Sequence, residues 1–288
     1  MIRPTQTRAD GRIARLGRMT ACPAQRPATW WWGSTPAGRA PAPGRPGRPP
    51  WSSRAPAARA PRERHAITGA DGLLVGRFPG ADIHVAPDYV AAFLAAPQGT
   101  DACIVAGTGS VVCSSGGDGG YLVSGGLGWI LGDHGSAARL GRAALEHFVN
   151  HPATVPSSFT AAIGEIFGDG DRRSVVRAVQ TARNPAPLLA RAAPLLTAAA
   201  QARQPWATEQ LDAEMTALAA TAARHIEQHI PGTQEVRVAL CGGVWASQIA
   251  RSSLTSALAS ASSRRTVVTR SLGDPIAGAV RLAGSIRR

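Results

Sequence analysis

In "DACIVAGTGSVVCSS", Asp101 to Ser115, two short apolar runs enclose Gly107-Thr108-Gly109-Ser110. Runs of that length, bounded by glycine turns, predict strand, tight turn, strand. The next segment, "GYLVSGGLGWILGDHGSAARLGRAALEHF", predicts a strand, a glycine-rich loop and a helix starting near Ser136. Leu140, Ala144 and Phe148 recur there at helical spacing and form one buried stripe. Upstream, "GADIHVAPDYVAAFLAA" predicts a short strand, a turn at Pro87-Asp88 and a helix. Downstream, Thr208 is placed to cap a helix carrying Leu211, Met215, Leu218, Ala222 and Ile226 on one face. "EVRVALCGG" predicts a strand ending in paired glycines, followed by a helix from Ser247. "RTVVTR" predicts another strand, and Asp274–Ile286 a closing helix with proline in its first turn. Strands interleaved with helices make this an α/β chain.

The charge is unevenly spread. Residues 1–64 hold 13 Arg against Asp10 and Glu63, a balance of +11, whereas the remaining 18 Arg face 16 acids. That front also carries 11 of the 22 prolines and 4 of the 7 tryptophans, three of them consecutive in "WWWGSTPAGRAP". It lacks the aliphatic content a packed core needs, so disorder is expected. An Arg-rich arm also predicts non-specific, salt-sensitive binding to nucleic acid, the one nucleic-acid contact expected here. No apolar run reaches the roughly 20 residues of a membrane span. The N-terminus lacks an apolar signal core, and its prolines oppose an amphipathic transit helix, so a cytoplasmic location is expected. Cys22, Cys103, Cys113 and Cys241 show no metal-ligand spacing, so no metal site is assigned, and Cys103 and Cys241 are expected in the core.

Three features could carry chemistry. Gly107 and Gly109 allow backbone N–H groups to approach a phosphate, with Thr108 and Ser110 adding hydroxyls; the alternative is an ordinary hairpin turn. Gly242 and Gly243 could open a slot for a nucleotide base, or let a helix pack on a sheet. Asp88 could act as a general base, or cap the helix it opens.

In order and register, "PDYVAAF", "AGTGSVV", "GGLGWILGDHGSAARLGRAAL", "LCGGVWAS" and "GDPIAGAVRLA" resemble the N-acetylglucosamine kinase and BadF/BadG/BcrA/BcrD-type ATPase family of the actin-like sugar kinase superfamily. The resemblance spans about Leu73 to Ala283. It implies an actin-like ATPase (ribonuclease H-like) fold with a largely complete C-terminal lobe and an incomplete N-terminal one. The divisions expected are residues 1–65 as a separate front, 66–101 as a remnant of the N-terminal lobe, and 102–288 as the C-terminal lobe. The last helix would pack back on the N-terminal lobe. It further implies phosphoryl transfer from ATP, with Mg2+, to an amino-sugar hydroxyl. Asp88 would be the general base, and Gly107, Thr108, Gly109 and Ser110 the phosphate hairpin. Gly126, Gly128 and Asp133 would line the sugar pocket, and Gly242, Gly243 and Ser247 would border adenosine. A homodimer is compatible with this family. The alternatives are an activator ATPase of an iron–sulfur dehydratase, and a degenerate kinase body with a nucleic-acid-binding arm. Four positions depart from the family pattern: Pro87 replaces Asn or Ser, Leu127 replaces Trp, His134 replaces Glu, and Arg203 replaces a glycine.

The family's first phosphate loop, "DxGGTxT", has no counterpart ahead of Asp88. Tryptophan has the single codon TGG, so reading Trp30–Gly33 one base upstream forces V-V-G. Continuing to Pro41, the shifted codons are compatible with "VVVGVDAGGTST", a strand running into that loop. Residues 1 to about 65 are therefore expected to come from a wrong reading frame. About 50 residues separate this latent loop from Asp88, fewer than the family's spacing, so a deletion is expected to accompany the shift. Without the loop and its Mg2+ ligand, the chain as written is expected to lack activity.

Overall fold

The computed structural model describes residues 85–117, 119–232, 235–271 and 273–286, together with Arg77. The expectations for residues 1–65 and for the strand before Pro87 fall largely outside these residues.

Five strands form one mixed sheet in the order β3-β2-β1-β4-β5. They are β1 (Ala102–Ala106), β2 (Ser110–Ser115), β3 (Tyr121–Gly125), β4 (Glu235–Cys241) and β5 (Arg265–Arg270). The first three form an antiparallel meander, with Cys103 opposite Cys113 and Val112 opposite Ser124. β4 then pairs parallel to β1, with Ile104 beside Leu240, and β5 pairs parallel to β4. Parallel neighbours require a long crossover. Here β1 and β4 are joined through the whole helical middle of the chain.

Side chains alternate between the two faces. Ile104, Ala106 and Val112 belong with Val236, Val238 and Leu240 to the larger core. That core is completed by α3 (Ala137–Asn150), α8 (Pro205–His229) and α9 (Gln248–Ala261), along with the short α4 (Ser157–Phe167), α5 (Arg172–Thr181), α6 (Ala186–Ala190) and α7 (Ala193–Gln201). The other face is smaller. Cys103, Cys113, Ala239 and Cys241 pack there beneath Ala92 and Ala96, at the end of α1 (Asp88–Ala95). The Cys103 thiol donates to Cys241 Sγ at 3.1 Å. Hydrogen bonds with Cys113 and then Cys241, together with burial, push the Cys103 thiol well above its ordinary range. These are core thiols, as their apolar setting predicted.

The last helix, α10 (Pro275–Ile286), lies along α1. A Cβ on Gly278 would stand 1.9 Å from Ala91 O, so glycine is what lets the two backbones touch. Arg281 completes the contact by donating to Leu94 O at 2.6 Å.

Local chemistry accounts for the helix ends. Ser136 caps α3 by accepting from Arg139 N–H, and Ser247 caps α9 by accepting from Ala250 N–H. Leu140, Ala144 and Phe148 are buried on α3. The helix with the Leu211–Ile226 stripe forms as predicted, but Thr208 does not cap it. α8 begins at Pro205, behind Gln204, and the Thr208 hydroxyl donates to Gln204 O from inside the first turn. Proline at the first helical position lacks an N–H where none is needed, and that favours the earlier start. α8 is pinned to the sheet through His225, whose Nδ1 and Nε2 lie 2.8 Å from Ser124 Oγ and 3.0 Å from Ser114 Oγ. Burial, then the neighbouring His229, lowers its pKa to about 4.

Candidate active site

Parallel β1 and β4 both end in glycine turns on the same edge of the sheet, where α/β folds commonly hold their ligands. The first turn is Gly107–Gly109, closed by a bond from Gly107 N–H to Gly109 O at 2.9 Å. Two amides at the start of α3 hold its carbonyls: Ala137 N–H donates to Gly107 O at 2.8 Å and Ala138 N–H to Thr108 O at 3.2 Å. In a trans peptide the N–H points opposite to the C=O. The Thr108 and Gly109 N–H groups therefore project away from α3, and neither has a partner among the described residues. Thr108 is exposed. Two adjacent free N–H groups beside a free hydroxyl make a cradle for an anion. Ser110 does something else: its hydroxyl donates to His134 O at 2.8 Å, tying the hairpin to the loop after β3.

That loop brings in a carboxylate. Asp133 Oδ1 accepts from Gly128 N–H at 3.0 Å. Its Oδ2 lies so near the hairpin that a Cβ on Gly109 would stand 2.6 Å from it. A methyl at 109 would therefore have to displace the Asp133 carboxylate. Asp133 itself sits at φ 52°, in the left-handed region, at a cost of about 1 kcal/mol or more. Gly126 N–H donates to Ser110 O at 3.1 Å, which draws the start of the loop onto the same hairpin. Between Gly126 and Asp133 runs the single turn α2 (Gly128–Leu131), with Leu127, Ile130 and Leu131 exposed. The sequence did not predict this turn.

Glu214, on α8, holds the other end of the loop. Its Oε2 lies 3.2 Å from His134 Nδ1 and accepts from Gly135 N–H at 3.1 Å. Its Oε1 accepts both Arg139 Nε and Nη2, at 3.0 and 2.6 Å. One carboxylate therefore anchors a ring and an amide on one oxygen and two guanidinium N–H groups on the other. Sequence reasoning missed Glu214, which is one polar residue on a long helix and meets His134 across 80 positions.

The second glycine turn follows β4. Gly242 has φ 110°, and a Cβ on it would stand 2.4 Å from Ala106 O, so this backbone lies directly against the end of β1. Gly243 has open space around it. The Ser247 hydroxyl oxygen is engaged in capping α9.

Gly107, Thr108, Gly109, Ser110, Gly126, Gly128 and Asp133 are thus brought together by contacts, with Gly242 packed against the neighbouring strand end. Asp88 stands apart. It is exposed at the start of α1, makes no capping bond, and its carboxylate has no hydrogen-bond or ion-pair partner among the described residues. No group of three or more His, Cys, Asp or Glu side chains that could hold a metal occurs among the described residues. No helix among them is long and apolar enough to cross a membrane.

An antiparallel meander extended by two parallel strands, with helices on both faces and glycine turns at the shared strand ends, is the actin-like ATPase fold, as found in the sugar kinases. The solved structures similar to it narrow the comparison. A proposed N-acetylglucosamine kinase from Chromobacterium violaceum superposes with a TM-score of 0.56 at 27% identity, over 74% of this chain and 70% of that one. Another from Porphyromonas gingivalis gives 0.55 at 20% identity, over 76% and 73%. No protein-family profile and no curated protein matches the chain.

Proposed function

We propose that this chain is built on an ATP-dependent sugar kinase of the N-acetylglucosamine kinase type. The observation that carries the reading is the free Thr108 and Gly109 N–H pair with the Asp133 carboxylate set against it. Donors to hold a phosphate and an acceptor to hold a hydroxyl are what phosphoryl transfer between them needs, because that chemistry rests on positioning and charge. ATP supplies the transferred phosphoryl group. Thr108 and Gly109 bind its phosphates, with Gly107 and Ser110 shaping the hairpin. Gly242, Gly243 and Ser247 border the adenosine. Asp133 Oδ2 accepts from a ring hydroxyl in a pocket walled by Gly126 and Gly128. Asp88 takes the proton from the attacking hydroxyl, which requires it to meet the sugar when the site closes. Mg2+ would supply neutralisation of the phosphate charge, but the described residues provide no ligand cluster for it.

In this reading residues 1 to about 65 replace the first phosphate loop through a change of reading frame. The nucleotide sequence across codons 25–70 tests that directly, and codons that exclude "VDAGGTST" in the shifted frame overturn it. The activator-ATPase alternative gains nothing from Cys103, Cys113 and Cys241, which are buried inside one chain. Calorimetry on the 288-residue protein tests the kinase reading. N-acetylglucosamine and ATP should each bind. Asp133→Ala should weaken the sugar by about tenfold and leave ATP nearly unchanged, with the reverse for Thr108→Ala. Failure to bind either ligand overturns the assignment.

A further inference from the structure

Resting on that sugar-kinase reading, we infer that His134 determines sugar specificity, with Glu214 positioning its ring so that Nε2 accepts a hydrogen bond from one ring hydroxyl. The Arg139 guanidinium grips the other oxygen of the Glu214 carboxylate, so Glu214 is an acceptor toward its remaining neighbours. The proton between Glu214 and the imidazole therefore sits on Nδ1. In a neutral ring that leaves Nε2 as a bare acceptor. Nε2 has no partner among the described residues.

Exposure separates the two ends of this pair. The Glu214 side chain is 11% exposed and that of His134 is 40% exposed, so the carboxylate is inside and the imidazole reaches outward. The preceding residue, Asp133, supplies the hydroxyl acceptor already assigned, and the His134 carbonyl is fixed to the phosphate hairpin by Ser110. A second acceptor thus stands on the adjacent residue of the same loop. Carboxylate-oriented imidazoles keep ring direction and tautomer fixed, which is what discrimination between similar hydroxyl patterns requires. A carboxylate in place of this ring would bring a like charge beside Glu214, which disfavours an acidic residue here.

The test uses the full chain with N-acetylglucosamine and its 3-, 4- and 6-deoxy analogues, titrated by calorimetry. The wild type should bind one analogue about tenfold more weakly than the parent through loss of the bond to Nε2. His134→Ala should bind that analogue and the parent alike while keeping the wild-type ratios for the other two and its ATP affinity. His134→Gln, which retains an acceptor, should recover part of the discrimination. Nitrogen-15 NMR of the neutral ring should give the Nδ1-protonated tautomer in the wild type and a mixture in Glu214→Gln. An unchanged deoxy-sugar profile in His134→Ala, or an Nε2-protonated ring in the wild type, overturns this inference and leaves the kinase reading standing. A wild-type chain that binds no amino sugar overturns both.

Discussion

Gly242 and Gly243 are adjacent and chemically identical, yet alanine should act on them in opposite ways. At Gly242 the backbone has φ 110° and ψ 168°, a region essentially restricted to glycine, where another residue costs about 1–3 kcal/mol. The added methyl would also lie 2.4 Å from Ala106 O and 2.7 Å from Ala106 C. Those atoms belong to the end of a central strand and cannot swing aside as a side chain would, which adds about 1–3 kcal/mol. Gly242→Ala should therefore destabilise the fold by about 4 kcal/mol, or about 8–16 °C in Tm for a body of this size. At Gly243 nothing lies within 4 Å of the position a methyl would take. Gly243→Ala should leave Tm within a degree or two and act on nucleotide binding alone, weakening ATP if the slot lies there. Differential scanning fluorimetry, with and without ATP, measures both effects. Equal Tm shifts for the two variants would refute the argument that β4 needs its glycine for contact with β1. An unchanged ATP affinity in Gly243→Ala would remove that residue from the nucleotide site.

Two further outcomes follow from single residues. His225 titrates near 4 in the folded protein against an ordinary 6.5, so below pH 6.5 the unfolded chain takes up a proton that the folded one refuses. Its contribution is complete above pH 6.5 and falls by about 3 kcal/mol as the pH drops to 4; urea melts should show this slope flattened in His225→Asn, and parallel curves would count against it. Arg203 has φ 57° just beyond α7, where Arg203 N–H bonds Ala200 O and Gln204 N–H bonds Ala199 O, an end that glycine fits best. Arg203→Gly should raise Tm by about 2–4 °C, and no rise would count against strain at this position.

The hairpin, the α3 stripe and the strand in "EVRVALCGG" were legible because each is written within a few residues, by apolar runs against glycine or by helical spacing. The departure at Arg203 was legible too, and the left-handed backbone there is its structural counterpart. Thr208 misled because a threonine ahead of an apolar stripe resembles a cap, while the true start depends on a proline behind a non-capping Gln204. The four-residue turn α2 is too short to leave a period. The Glu214 anchor was invisible for a different reason: its partners lie 75 to 80 positions away, so only the packing of α8 against the β3–α3 loop reveals it. The Asp133 carboxylate was assigned from its motif, but its contact with Gly109 depends on a backbone angle that no side-chain pattern encodes.

The seam between α1 and α10 has a consequence for how the protein is made. Leu94 and Arg281 meet across 187 positions of chain. During synthesis α1 emerges well before α10, and Ala91 and Ala95 must wait about 180 residues of further chain for Gly278 and Gly273. Throughout that interval the thiol-lined face of the sheet lacks its full cover, and β1 waits as well for β4 to pair beside it. Contacts of such separation are slow to form, and unpaired strands exposed meanwhile invite association with other chains. A chaperone that shields nascent strands should therefore favour soluble protein and slow translation should lower it, and the yield should depend on α10 far more than its length implies.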